Sequence, residues 1–149
     1  MRAGLVQLTV TDDPGQNLPA TLSHIATAAA GGAGFVLTPE CTNALSSNRA
    51  RLRSLLHPEE TDPTLAALRE AAAKHGIWLL VGSLGLLTTD ADGRFANRSL
   101  LIAPSGDIHA RYDKIHMFDV NVSETEVYRE SAGYRPGNRA VHATLGKKL

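Results

Sequence analysis

Two short apolar runs, residues 3–10 (AGLVQLTV) and 35–37 (FVL), bracket one helical stretch, and that unit narrows the folds open to the chain. The first run is partly β-branched and ends in the turn residues Thr11–Asp12–Asp13–Pro14–Gly15, so it reads as a buried strand followed by a turn. Asn17 is expected to cap the helix, with Pro19 tolerated in its first turn. Leu18, Leu22, Ile25 and Ala29 then recur on one helical face. Gly31, Gly32 and Gly34 end the helix, and Pro39 cuts off the second strand. A strand–helix–strand unit of this kind predicts parallel strands joined by a right-handed crossover.

The remainder extends the pattern. Residues 43–56 form an Arg-rich helical candidate broken by His57–Pro58. Thr61 or Asp62 then caps a helix with Pro63 in its first turn, Leu65, Leu68 and Ala72 on its apolar face and Gly76 at its end. Residues 77–83 (IWLLVGS) are the strongest buried strand, continuing through 84–88 beyond Gly82. Turn signals at 90–93 and 104–107 separate two further strands, 95–103 and 108–112, which predicts antiparallel neighbours. Residues 117–137 read as a long irregular segment, residues 140–144 (AVHAT) as one more strand, and Gly146–Lys147–Lys148 as a turn. The whole predicts a single α/β domain over residues 1–149 with a mixed sheet. Helices on only one side of that sheet would leave an apolar face that a partner or a longer chain must cover.

Composition excludes several classes. Lys+Arg and Asp+Glu are 15 each and the formal net charge is zero, so no basic excess points to nucleic acid or to an anionic membrane surface. No apolar run approaches the roughly 20 residues a membrane helix needs, and the start lacks the pattern of a signal peptide. Cys41 is the single cysteine, which rules out an internal disulfide and fits a reducing, cytoplasmic setting. The histidines show no paired ligand spacing, so no metal is expected. Gly31–Gly34 lack the lysine and hydroxyl residue of a phosphate loop and precede a strand, so no cofactor is expected there.

The candidate chemistry lies in three charged residues next to strand ends or in the long loop. Lys114 follows a strand in ARYDKIHMFD, Glu40 follows another in TPECTN, and Glu130 lies in YRES. A lysine whose stem is held by a sheet can present a fixed positive charge where negative charge develops in a reaction. Taken singly, each of the three reads as a surface charge. Cys41 adjoins Glu40, and neighbours on an extended segment point to opposite sides. It is therefore expected to face away from Glu40 as a small buried filler.

The stretches AGLVQLTV, FVLTPECTN, IWLLVGSL, FANRSLLIAPSGDIHARYDKIHMFDV, YRES and YRPGNRAV, in that order, resemble the N-terminal half of the nitrilase superfamily, the carbon–nitrogen hydrolases. RYDKIHMFDV through YRES is most similar to the Nit branch, amidases of deaminated glutathione or of ω-amides. The resemblance implies half of an α-β-β-α sandwich and a cofactor-independent amidase that dimerises and acts on the amide of a small carboxylic acid. It implies Glu40 as general base, Lys114 as oxyanion stabiliser and Glu130 as the second, orienting glutamate. The nucleophilic cysteine of the family would fall just beyond Leu149, with GKKL leading into its strand. The alternative is a non-catalytic protein: a truncated nitrilase fold used for binding or dimerisation, or an inactive remnant.

Overall fold

The computed structural model describes residues 1–146. The elements run β1 (Ala3–Leu5), α1 (Pro14–Ala30), β2 (Phe35–Leu37), α2 (Arg49–Leu55), α3 (Pro63–His75), β3 (Trp78–Leu86), β4 (Ala96–Ile102), β5 (Ile108–Asp113), β6 (Asp119–Asn121) and β7 (Val127–Arg129). Single 3₁₀ turns lie at Glu59–Thr61 and Glu130–Ala132. Strands β1 to β5 form one sheet in sequence order. The β1–β2 and β2–β3 pairs are parallel, and the β3–β4 and β4–β5 pairs are antiparallel. The mixed α/β architecture matches the expectation from the sequence.

Local chemistry sets most boundaries. Asp62 caps α3 by accepting the Leu65 amide at 2.7 Å. Gly76 closes that helix in the left-handed conformation at φ 60°. Leu65, Leu68 and Ala72 are buried, as their spacing predicts. They pack with Ile25 of α1 against Val36, Leu79, Val81, Leu84, Leu100 and Ile102 of the sheet. A register shift between Val81 and Leu84 lets Val81, Leu84 and Leu86 all join this core, although strict alternation along β3 would not allow it.

Several expectations are corrected. The cap of α1 is Asp13, which accepts the Gly15 amide at 2.8 Å. Asn17 lies one turn inside the helix and is buried, donating to the carbonyls of Thr11 and Asn43. Pro19 consequently sits inside the helix and not in its first turn. The opening strand is only three residues long and lies at the sheet edge, where Leu5 is 81% exposed. The second helix begins at Arg49, because Asn48 accepts the Arg51 amide and caps it there. The segment 117–137 is more ordered than its sequence suggests: β6 and β7 form an antiparallel hairpin. Residues 140–144 form no strand. Val141, Ala143 and Leu145 instead line a cavity of about 330 Å³ on the sheet face opposite the helices, with Phe35, Leu80 and Leu101 beneath. Residues 147 and 148 of the turn expected at 146–148 lie outside the described residues.

Candidate active site

The bulge in β3 creates the platform for Glu40. A Cβ on Gly82 would lie 2.3 Å from the Thr38 carbonyl oxygen and 2.6 Å from that of Pro39, so only glycine allows the segment after β2 to pack this closely. That segment is then tied down rung by rung. The Ser83 amide donates to Pro39, the Thr42 amide to the Ser83 carbonyl, and the Cys41 amide to Ser83 Oγ at 2.8 Å. The buried Asn43 side chain completes the series, donating to Gly85 O at 2.8 Å and accepting from Gly85 N at 2.9 Å. Glu40 thus projects from a loop held along its length by β3.

Lys114 follows directly after β5. Its amide donates to the Asn97 carbonyl at 2.9 Å and its carbonyl accepts from Gly137 at 2.8 Å, so both sides of its backbone are held. Glu130 begins the 3₁₀ turn after β7. The three expected residues are brought together: Lys114 Nζ lies 2.9 Å from Glu40 Oε1, 2.9 Å from Glu130 Oε2 and 3.2 Å from Glu130 Oε1. The hydrogen bond from Lys114 holds the Glu40 carboxyl below the usual carboxylate range, against the opposing effect of burial. Burial works against the Lys114 charge, but the hydrogen bonds from its ammonium to Glu130 and Glu40 outweigh it and its pKa is raised.

The two carboxylates differ in what they can still do. Glu130 accepts from Lys114 on both oxygens, from Asn97 Nδ2 on Oε1 and from the Phe118 amide on Oε2. Among the described residues, Glu40 takes bonds only on Oε1, from Lys114 and Asn97, and its Oε2 carries none. The Glu40 side chain is 56% exposed and that of Glu130 is 15% exposed. Glu40 therefore has the accessible basic oxygen and Glu130 the saturated one. These side chains line a cavity of about 320 Å³ with Cys41, Leu45, Phe118 and Tyr134. It adjoins a larger one of about 550 Å³ that shares Leu45, Phe118 and Tyr134 and reaches Arg49 and Tyr128.

Two residues stand differently from the sequence reading. Cys41 lines the same cavity as Glu40, because its backbone is left-handed at φ 53° and the rule for extended neighbours does not apply. It is buried as expected, and burial together with the Glu40 charge pushes its thiol up to about 11. The sequence reading does not single out Asn97. It is 2% exposed near the start of β4 and donates to Glu40 Oε1 at 2.7 Å and to Glu130 Oε1 at 3.2 Å. A polar amide within the strand-like FANRSLLIA was the available signal. Among the described residues no cluster of histidine, cysteine and carboxylate side chains could hold a metal ion.

The sequence pattern of the carbon-nitrogen hydrolases matches residues 2–149. The chain belongs to this family. It is 39% identical over 105 residues to the deaminated glutathione amidase of Yersinia enterocolitica, covering 69% of this chain and 36% of that protein. It is 30% identical over 137 residues to Omega-amidase NIT2 of Homo sapiens, covering 92% and 48%. Among solved structures it is similar to the C. elegans NitFhit protein, with a TM-score of 0.81 at 25% identity, covering 93% of this chain and 34% of that one. An amidase from Nesterenkonia sp. gives a TM-score of 0.73 at 25% identity, covering 93% and 49%. The nitrilase-type amidase fold expected from the sequence is therefore the one observed. The chain spans half or less of the length of these relatives.

Proposed function

We propose that residues 1–149 supply the base and the oxyanion-stabilising group of an amidase site acting on the amide of a small carboxylic acid. The nucleophilic cysteine would come from outside this segment. The observation that carries the reading is the ammonium of Lys114, fixed 2.9 Å from each of two carboxylates at the edge of a cavity. Glu40 Oε2 takes the thiol proton, and the thiolate attacks the amide carbon. The carbonyl electron pair moves to oxygen, where Lys114 stabilises the charge; one such donor is worth about 3–4 kcal/mol in comparable sites. Protonated Glu40 gives its proton to the departing nitrogen, the carbon–nitrogen bond breaks and ammonia leaves. Glu40 then deprotonates water, which attacks the thioester carbon; the carbon–sulfur bond breaks and the acid is released. Glu130 orients Lys114 throughout.

Cys41 is a poor candidate for the nucleophile, since a thiol held up at about 11 beside two carboxylates is not a thiolate at neutral pH. The names of the relatives support ω-amides and deaminated glutathione as first substrates to try. Self-association through extended sheets is proposed with this reading. The test is ammonia release from an amide panel by the gene's complete product, with Glu40→Gln and Lys114→Met as controls.

The rival, a non-catalytic binding or dimerisation module, draws on the exposed apolar rim of Leu45, Phe118, Val127 and Tyr128. It predicts self-association without turnover.

A further inference from the structure

We infer that Asn97 is a positioning residue whose neutral side-chain amide bridges Glu40 and Glu130 around Lys114 and keeps Glu40 ionised. The inference rests on the carboxylate–lysine–carboxylate reading above and deepens it. Two carboxylates meet at one ammonium, so the charge of Glu130 works against ionisation of Glu40 while Lys114 favours it. A Glu40 that kept its proton would be unable to take one from the nucleophile. Asn97 opposes this by donating from one nitrogen to Oε1 of both acids, at 2.7 and 3.2 Å. Donors to the charged form favour that form. The amide adds no charge, so the cluster of two carboxylates and one ammonium keeps a net negative charge and leaves Glu40 Oε2 open. A lysine or arginine here would neutralise the pair, and an aspartate would add a third acid.

Its placement suits the role. Asn97 pairs in register with Gly85 on one side, the same glycine that the Asn43 side chain grips. On the other side its carbonyl accepts the Lys114 amide. One buried residue thus fixes the backbone of the lysine and the side chains of both its partners. The other titratable groups around Glu40 are Lys114, Glu130, Cys41 and the Tyr134 hydroxyl, all lining the same cavity.

The test is a carboxyl-carbon NMR titration of the wild-type chain, Asn97→Leu and Asn97→Asp, with the Asn97 amide protons followed in the wild type. The Glu40 midpoint is expected to move upward in both variants, and the wild-type Asn97 amide protons to shift along the Glu40 titration curve. A folded Asn97→Leu chain with an unmoved Glu40 midpoint would overturn the inference. So would wild-type amide protons blind to Glu40 ionisation, a readout that holds if neither variant folds. Turnover is not read, so a failure of the amidase reading would show separately, as absent ammonia release with these titrations intact.

Discussion

Glu130 Oε2 accepts the backbone amide of Phe118 at 2.6 Å while it also holds Lys114 Nζ at 2.9 Å. One carboxylate therefore links the candidate site to the arm that leads into the β6–β7 hairpin. Replacing Glu130 with alanine should release both. Exchange protection of the Phe118 amide is expected to fall about tenfold, the loss of one hydrogen bond to a charged acceptor. Glu130→Gln, which keeps an acceptor, should lose less. Unchanged protection in Glu130→Ala would separate the hairpin from the site.

Cys41 should be nearly inert. Its thiol is buried and pushed up to about 11, so alkylation at pH 7.5 is expected to be slow in the folded chain and fast in denaturant. Cys41→Ser should leave the fold intact. Rapid labelling of the native chain at pH 7.5 would contradict the placement of this residue between Glu40 and Ser83.

Arg98 bonds Asp113 through Nε at 2.6 Å and Nη2 at 3.0 Å, and Glu59 through Nη1 at 2.7 Å. All three side chains are largely buried, so Arg98→Met would leave two carboxylates without their shared partner, at a cost of about 2–3 kcal/mol. The hydrogen bonds from Arg98 hold Asp113 below its usual range, burial opposing. A depressed carboxylate stabilises the fold above its unfolded pKa and loses that contribution as pH falls through the folded value. Acid unfolding should therefore become shallower below about pH 4 in Arg98→Met. A wild-type acid limb in this variant would remove Asp113 as its source.

Gly82 has no room for a methyl group. Gly82→Ala sets a Cβ 2.3 Å from the Thr38 carbonyl, so the Pro39–Glu40 segment must shift, at a cost of about 2 kcal/mol or more. Melting temperature and the Glu40 titration should both change. A variant matching wild type in both would show that the bulge does not position Glu40.

The legible parts of the fold were those whose cause is local. Asp62 and Gly76 bracket α3 by cap chemistry alone, and the core face of that helix follows from its spacing. Glu40, Lys114 and Glu130 were found through motifs carried by the resemblance, and the structure brings them together. Other features depend on distant partners. Asn17 looked like a cap, yet its amide is engaged by Asn43, 26 residues away. Asn43 looked like the start of a helix, yet it grips Gly85. Residues 140–144 have strand composition, yet they lie over a sheet face with no ladder formed. Cys41 shares the Glu40 cavity because its backbone is left-handed, a conformation that TPECTN does not signal.

The most direct test of the central claim is ammonia release by the complete gene product from ω-amides and deaminated glutathione, in wild type and Lys114→Met. The account predicts turnover that falls by about 10²–10³ when the ammonium is removed. No ammonia from any amide, or undiminished turnover in Lys114→Met, would contradict it.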